Sequence, residues 1–261
     1  MERGSLLARQ ERLAQLATKV GPVSFARDRL LPVVPTLEPL LPDGGIARGS
    51  IIGCHGAAAM SITLAAVAGA SAAGSWLAVV GLASLGLRAA SEVGIALERL
   101  VMVAEVPSLS EAAWANMTAA LIDGFDLVVI RGGPHIRAGT ARRLQARLQA
   151  RGAVLIVVGD PGHFACDVDI RVHDAVWEGL GDGAGRLVRR RLTLSVSGRR
   201  LARPRHAEVW LPGGTGGIEA VTAATTANTV TNTTANTVTD TTADTVANTA
   251  AAGVVALQRA G

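Results

Sequence analysis

Short aliphatic runs alternate with stretches of helical periodicity through the middle of this chain. Ile51 and Ile52 open the series as a buried strand. Further strands are predicted at Trp76–Gly81, Leu100–Val103, Leu127–Ile130 and Ala153–Val158. Helices are predicted between them at Ala57–Ala68, Leu85–Leu97, Leu109–Ile122 and Ala138–Ala150. Strands this apolar belong to sheets covered on both faces. The alternation therefore predicts an α/β fold with a mostly parallel sheet flanked by helices. After Gly159 the pattern changes. Cys166–His173, Leu187–Val196 and Ala207–Leu211 read as strands, joined by glycine-rich turns such as Gly179–Gly183, with Ser197-Gly198 closing a hairpin or bend. They are expected to extend the sheet antiparallel at one edge.

The flanks read differently. Glu2–Thr18 places Leu6, Leu7, Leu13 and Leu16 among Arg and Glu, the pattern of an amphipathic helix. Packing on its own domain is favoured over a partner handle. Leu30–Pro42 holds four prolines and reads as an extended connector. Thr225–Asn232, Thr233–Asp240 and Thr241–Asn248 repeat with period eight. These units are too polar to bury a core, so a disordered C-terminal tail is expected. The expected division is an N-terminal helix and linker over 1–29, a core over 30–212 and a low-complexity tail over 213–261.

Composition refines this picture. Hydrophobic residues make up 49% and aromatics 3%, with no tyrosine, so the core is aliphatic. Arginine supplies all but one of the 25 basic side chains, which suggests a GC-rich genome and weakens arguments from arginine abundance. A net charge of +4 permits a nucleic-acid partner without demanding one. Two cysteines, Cys54 and Cys166, suit a reducing cytoplasm. The first twenty residues lack the apolar centre of a signal peptide. Ile51–Leu87 is uncharged apart from His55 and longer than the roughly 20 residues that cross a bilayer. The turn-like Gly69–Ser75 interrupts it, so no membrane span is expected and the location is read as cytoplasmic.

The candidate chemistry centres on Ser50–Ser61, a strand, a small-residue turn and the start of a helix. A phosphate-binding loop, G-x-x-x-x-G-K-[ST], occupies this position in nucleotide-binding folds. Laid on that pattern, Gly53 takes the first glycine, Ala58 the second, Ala59 the lysine and Met60 the hydroxyl residue. The candidate site is thus a degenerate phosphate loop of Gly53, Gly56, Ala58, Ala59, Met60 and Ser61. The chain's single lysine, Lys19, precedes the first core strand.

Several segments carry a family likeness. Leu37–Gly56 resembles the start of the RecA-type ATPase core. Trp76–Gly81 resembles its second strand, Ala89–Val103 its next helix and third strand, and Asp123–Arg131 its Walker B strand. Within that superfamily the chain is similar to the actinobacterial ImuA-type proteins over roughly residues 30 to 212. The likeness is carried by Leu41–Gly45, Ala68–Trp76, Trp114–Ile130 and Gly185–Pro212. The resemblance implies a RecA-like fold and an accessory role in SOS-induced translesion DNA synthesis and mutagenesis. It implies as partners an ImuB-type Y-family polymerase homologue and an error-prone replicative-type DNA polymerase, with RecA or DNA as further candidates.

A working RecA-type ATPase needs a lysine on the phosphates, an acid supporting Mg²⁺ and a group that activates water. Ala59 stands for the lysine, and Arg131 stands where the Walker B acid would follow the fourth strand. Asp126 lies at that strand's other end, and Gly81–Ser84 offers no activating acid. The expectation is a protein that is not an enzyme, with no catalytic residue and no cofactor. Two alternatives stand beside it: a divergent DNA-binding ATPase, and a cell-division regulator of RecA-like fold.

Asp160 is read as a turn residue of Asp160-Pro161-Gly162 rather than a ligand sensor. Cys54, His55 and His135 match no zinc spacing, so no metal is expected. Arg143, Arg147 and Arg151 share a helix face. With Arg189, Arg190, Arg191, Arg199 and Arg200 they form either a surface for DNA or an acidic partner, or simply solvated charge.

Overall fold

The aliphatic runs pair into one central sheet. The computed structural model describes residues 30–221, apart from 105–108, 133–135 and 182–183. The expected helix at Glu2–Thr18 and the threonine-rich repeats lie outside the described residues. In chain order the elements are β1 (Leu30–Leu31), β2 (Ile46–Ala47), β3 (Ile51–Gly56), α1 (Ala59–Ala72), β4 (Leu77–Val80), α2 (Leu87–Val93) and β5 (Leu100–Val103). There follow α3 (Glu111–Gly124), β6 (Leu127–Arg131), α4 (Ala138–Arg151), β7 (Val154–Val158), β8 (Val168–Gly181), β9 (Ala184–Gly198), β10 (Arg205–Trp210) and β11 (Glu219–Ala220).

The nine-stranded sheet runs β11-β10-β9-β8-β3-β7-β6-β4-β5. From β8 to β5 every pairing is parallel. β9, β10 and β11 continue the sheet antiparallel. The mostly parallel sheet with an antiparallel edge is thus the one expected, with one difference. The first strand after Gly159, β8, joins β3 parallel, and only its successors run antiparallel. β8 and β9 are also longer than their apolar cores, because Gly179 sits inside the ladder rather than in a connecting turn. The sheet continues beyond residue 212, since β11 pairs with β10 through Val209–Ala220 and Trp210–Glu219.

Alternate side chains feed two cores. Leu127 and Val129 of β6 join one, which includes α1. Val128 and Ile130 join the other, with Leu144 and Leu148 of α4 and Ile122 of α3. α1 is apolar all round, as a helix enclosed by its own protein must be. Nine of its fourteen residues are buried. At Gly69 a Cβ would stand 2.5 Å from the Val33 carbonyl carbon, so only glycine lets the two backbones touch. That contact corrects the reading of Leu30–Pro42 as an extended connector. Leu31, Val33, Leu37, Leu40 and Leu41 are core residues, and two 3₁₀ turns, Glu38–Leu40 and Pro42–Gly44, carry two of the four prolines, Pro39 and Pro42, at their starts. α2 is shorter than expected because Gly94 ends it in the left-handed conformation, with φ of 107°. Ser110 caps α3 by accepting the Ala113 N–H at 3.2 Å. No described helix is long and apolar enough to cross a membrane.

Asp126 ties the sheet's amino-terminal edge together. Its carboxylate accepts the Trp76 N–H at 3.1 Å and the Arg48 guanidinium at 3.0 Å. Its carbonyl accepts the Val154 N–H at 2.8 Å. Arg48 also donates to the Gly152 carbonyl. Replacing Asp126 with Ala leaves the first two donors without that partner. The expected loss is about 0.5–1.5 kcal/mol of stability, because both contacts are solvent-exposed, read as a lower urea midpoint with an unchanged slope.

Candidate functional site

In open parallel sheets ligands bind outside the carboxyl ends of the strands. Here that edge carries the β3–α1 junction. β3 does not stop at Gly53. Gly53 pairs with Val157 and Asp169, Cys54 with Val158 and Ile170, His55 with Arg171 and Gly56 with Val172. This corrects the placement of the candidate loop. Gly53 and Gly56 are strand residues, and only Ala57 and Ala58 separate β3 from α1. Ala58 is the N-cap of α1, without a side-chain cap, and Ala59, Met60 and Ser61 form its first turn. Gly56 has φ of +98°, and a Cβ there would lie 2.0 Å from the Val172 carbonyl oxygen. β8 therefore lies directly against the backbone of Gly56.

A cation does reach the first turn of α1, from far along the chain. Arg190 of β9 donates to Ser61 Oγ at 2.7 Å and to the Leu211 carbonyl at 2.9 Å. Its guanidinium stands 5.0 Å from the Trp177 ring centroid. Burial holds its pKa below the usual guanidinium value. Among the described residues it makes no ion pair. The sequence places Arg190 in a run of arginines; its reach to Ser61 depends on pairing between distant strands and has no local signal.

The other expected positions sort as follows. Arg131 ends β6 exposed at the carboxyl edge, while Asp126 serves the opposite edge. Gly81 and Leu82 are buried beside exposed Ala83 and Ser84. Asp160 Oδ1 accepts the Gly162 N–H at 2.9 Å, the turn role expected of it. His135 lies outside the described residues. His55 Nε2 lies 3.0 Å from Asp169 Oδ2, a partner the sequence reading missed because it belongs to the neighbouring strand. A Cβ on Gly53 would meet His55 Nε2 at 2.7 Å and Cys166 Sγ at 3.1 Å, so these side chains fill the space above that glycine. Burial pushes the Cys54 thiol up to about 12, and burial followed by Asp169 and Asp167 pushes Cys166 up to about 11. Neither thiol is a ready nucleophile at neutral pH. Among the described residues no cluster of His, Cys, Asp or Glu is placed to hold a metal ion.

The expected arginine surface is largely engaged with the protein itself. Asp123 of α3 binds both Arg147 and Arg151 of α4. These guanidinium groups hold its carboxyl at about 2, Arg147 contributing most. Arg143 donates to Thr140 Oγ1. Arg189 donates to Glu178 at 2.8 Å and covers the Trp210 ring at 3.9 Å. Arg191 faces Glu208 at 3.9 Å, Arg199 faces Asp167 at 3.9 Å, and Arg200 faces Asp43 at 3.3 Å. The helix group and the strand group sit on separate elements and are not joined by any shared contact among the described residues.

A mostly parallel sheet, its ligand edge at the β3–α1 junction and its antiparallel continuation together define a RecA-like fold. The structure of the RadB recombinase is similar, with a TM-score of 0.50 at 16% identity, covering 72% of this chain and 97% of RadB. A KaiC-like protein of Pyrococcus horikoshii gives a TM-score of 0.47 at 15% identity, over 74% of this chain and 99% of that one. In sequence, residues 39–162 match the family model described as the MT3502 N-terminal domain. The chain is 35% identical over 144 residues to the uncharacterized protein Rv3395c of Mycobacterium tuberculosis. That match covers 55% of this chain and 65% of the relative's length.

Two outcomes are expected. Gly56→Ala must move the β8 backbone and strain a left-handed residue, so it should cost about 3 kcal/mol or more by urea denaturation. Asp123 has a lowered folded-state pKa, so its pairing stabilises fully above the ordinary carboxylate value of about 4 and fades as pH falls through about 2. The stability gap between the parent protein and Asp123→Asn should therefore close over that acid range, as measured by denaturation at stepped pH.

Proposed function

We propose that this chain is a RecA-like accessory protein of SOS-induced translesion DNA synthesis, acting through protein contacts without nucleotide hydrolysis. The resemblance to ImuA-type proteins supplies the pathway. The observation that carries the scaffold reading is β3 itself. It remains strand through Gly56 and is paired to β8 at that residue, so the segment that cradles phosphates in a motor is part of the sheet. Ala59 stands where a lysine would reach a triphosphate, and Arg131 where an acid would support its magnesium. The partners this reading calls for are an ImuB-type Y-family polymerase homologue and an error-prone replicative-type polymerase.

A divergent ATPase is the second reading, and Arg190 favours it. Its guanidinium lies beside Ser61 and brings a cation to the first turn of α1. The two readings separate in one pair of measurements. Phosphate release by the purified full chain, with and without DNA, should stay at the buffer background, and Arg190→Ala should change nothing. Affinity purification of the tagged chain from DNA-damaged cells should recover the Y-family homologue. Turnover that disappears in Arg190→Ala would establish the ATPase instead. Recovery of division proteins in place of the polymerases would point to a cell-division regulator.

A further inference from the structure

The β8–β9 hairpin outgrows the sheet that carries it. β3 covers β8 only through Val172, and β10 covers β9 only as far as Arg191, with Leu211 and Pro212 bonded at Arg190. Past those points lies a two-stranded arm. The β8 side of it, His173 to Gly181, has β9 as its only paired neighbour among the described residues. At about 3.3 Å per residue that open edge is roughly 30 Å long. Strand edges of this length are ordinarily shortened, charged or covered, because their unpaired N–H and C=O groups recruit another strand.

The side chains on the arm sharpen the point. Of the ten exposed large apolar residues among those described, five lie here: Val176, Trp177, Leu180, Leu187 and Val188. Leu180 is 65% exposed and Val188 56%. An isolated ribbon has no core to explain such residues. The charges have a sign as well. The arm's Glu178 is held by Arg189, and Asp174 bonds the Ala175 N–H. Arg171 and Arg186, both exposed, make no ion pair among the described residues, and Arg190 has only neutral acceptors. The open positive charge therefore flanks an apolar strip on an unpaired strand edge. Nucleic acid fits this surface less well. The aliphatic side chains offer bases no stacking platform, and one face of Trp177 is already under Arg190.

We propose that the open edge of β8 from His173 to Gly181 receives an extended segment of a partner protein. The segment adds as a strand, with apolar side chains against Val176 and Leu180 on one face and acidic ones toward Arg186 and Arg190 on the other. This gives the scaffold reading above a docking element, yet its test needs no polymerase, so either can fail alone. The full chain is titrated with three labelled probes: a short alternating valine–glutamate peptide, the matching valine–lysine peptide, and a deoxythymidine oligonucleotide. Fluorescence anisotropy gives the affinities, and amide hydrogen exchange locates the site. The valine–glutamate peptide should bind at least about tenfold more tightly than the other two and slow exchange over residues 173–181. Arg186→Glu, at an exposed position, should reduce that preference by about tenfold or more, and Leu180→Asp should weaken binding of both peptides. The proposal is overturned by absent binding, equal affinity for both peptides, or tighter binding of the oligonucleotide. It is overturned too by protection that falls elsewhere, or by an edge already protected through self-association before peptide is added.

Discussion

The parallel pairing of β3 on both of its edges is the constraint from which the rest of the architecture follows. β7 holds one side from Ile51 to Cys54 and β8 holds the other from Ile52 to Gly56. A strand gripped on both edges is straight and buried, and its residues must be small or aliphatic. Because the grip lasts through Gly56, the connection to α1 shrinks to two residues. Because β8 supplies it, β8 must turn upward parallel to β3 before the antiparallel strands can begin. The hairpin, its reach beyond the sheet and the position of Arg190 all follow from that register.

The electrostatics follow a second economy. Although the chain is rich in arginine, most of the guanidinium groups considered as a nucleic-acid surface are bound to carboxylates, carbonyls or aromatic rings of the same chain. Asp123 alone takes two of them. Exposed pairs of this kind contribute modestly to stability. They do remove charge from the list available to a phosphate backbone. Among the described residues, arginines without a carboxylate occur elsewhere too, as at Arg131 and Arg142, but Arg171, Arg186 and Arg190 lie on β8 and β9 beside exposed apolar side chains, and that combination sets the arm apart.

The sheet is largely legible from the chain, since runs such as Leu127–Ile130 and Val154–Val158 are apolar on both faces and bounded by turn residues. The helices were legible in kind and less so in extent. α2 ends early at Gly94, because a left-handed cap outweighs the apolar period that continues past it. Proline content hides the burial of Leu30–Pro42: the leucines between the prolines belong to the core. The candidate loop could be aligned but not shaped. Nothing local to Gly53–Gly56 signals that Val172 will close on it, and a non-local register decides whether those residues coil or extend. The His55–Asp169 and Ser61–Arg190 contacts were hidden for the same reason. Asp160, whose role is local, was read correctly.

The contact between Gly69 and Val33 has a mechanical meaning. Here the segment at Val33 bears directly on the backbone of α1 near its far end, and a two-residue tether holds the near end to β3. A rod clamped at both ends has no stroke. Sliding of α1 along its own axis would have to open the Val33 contact.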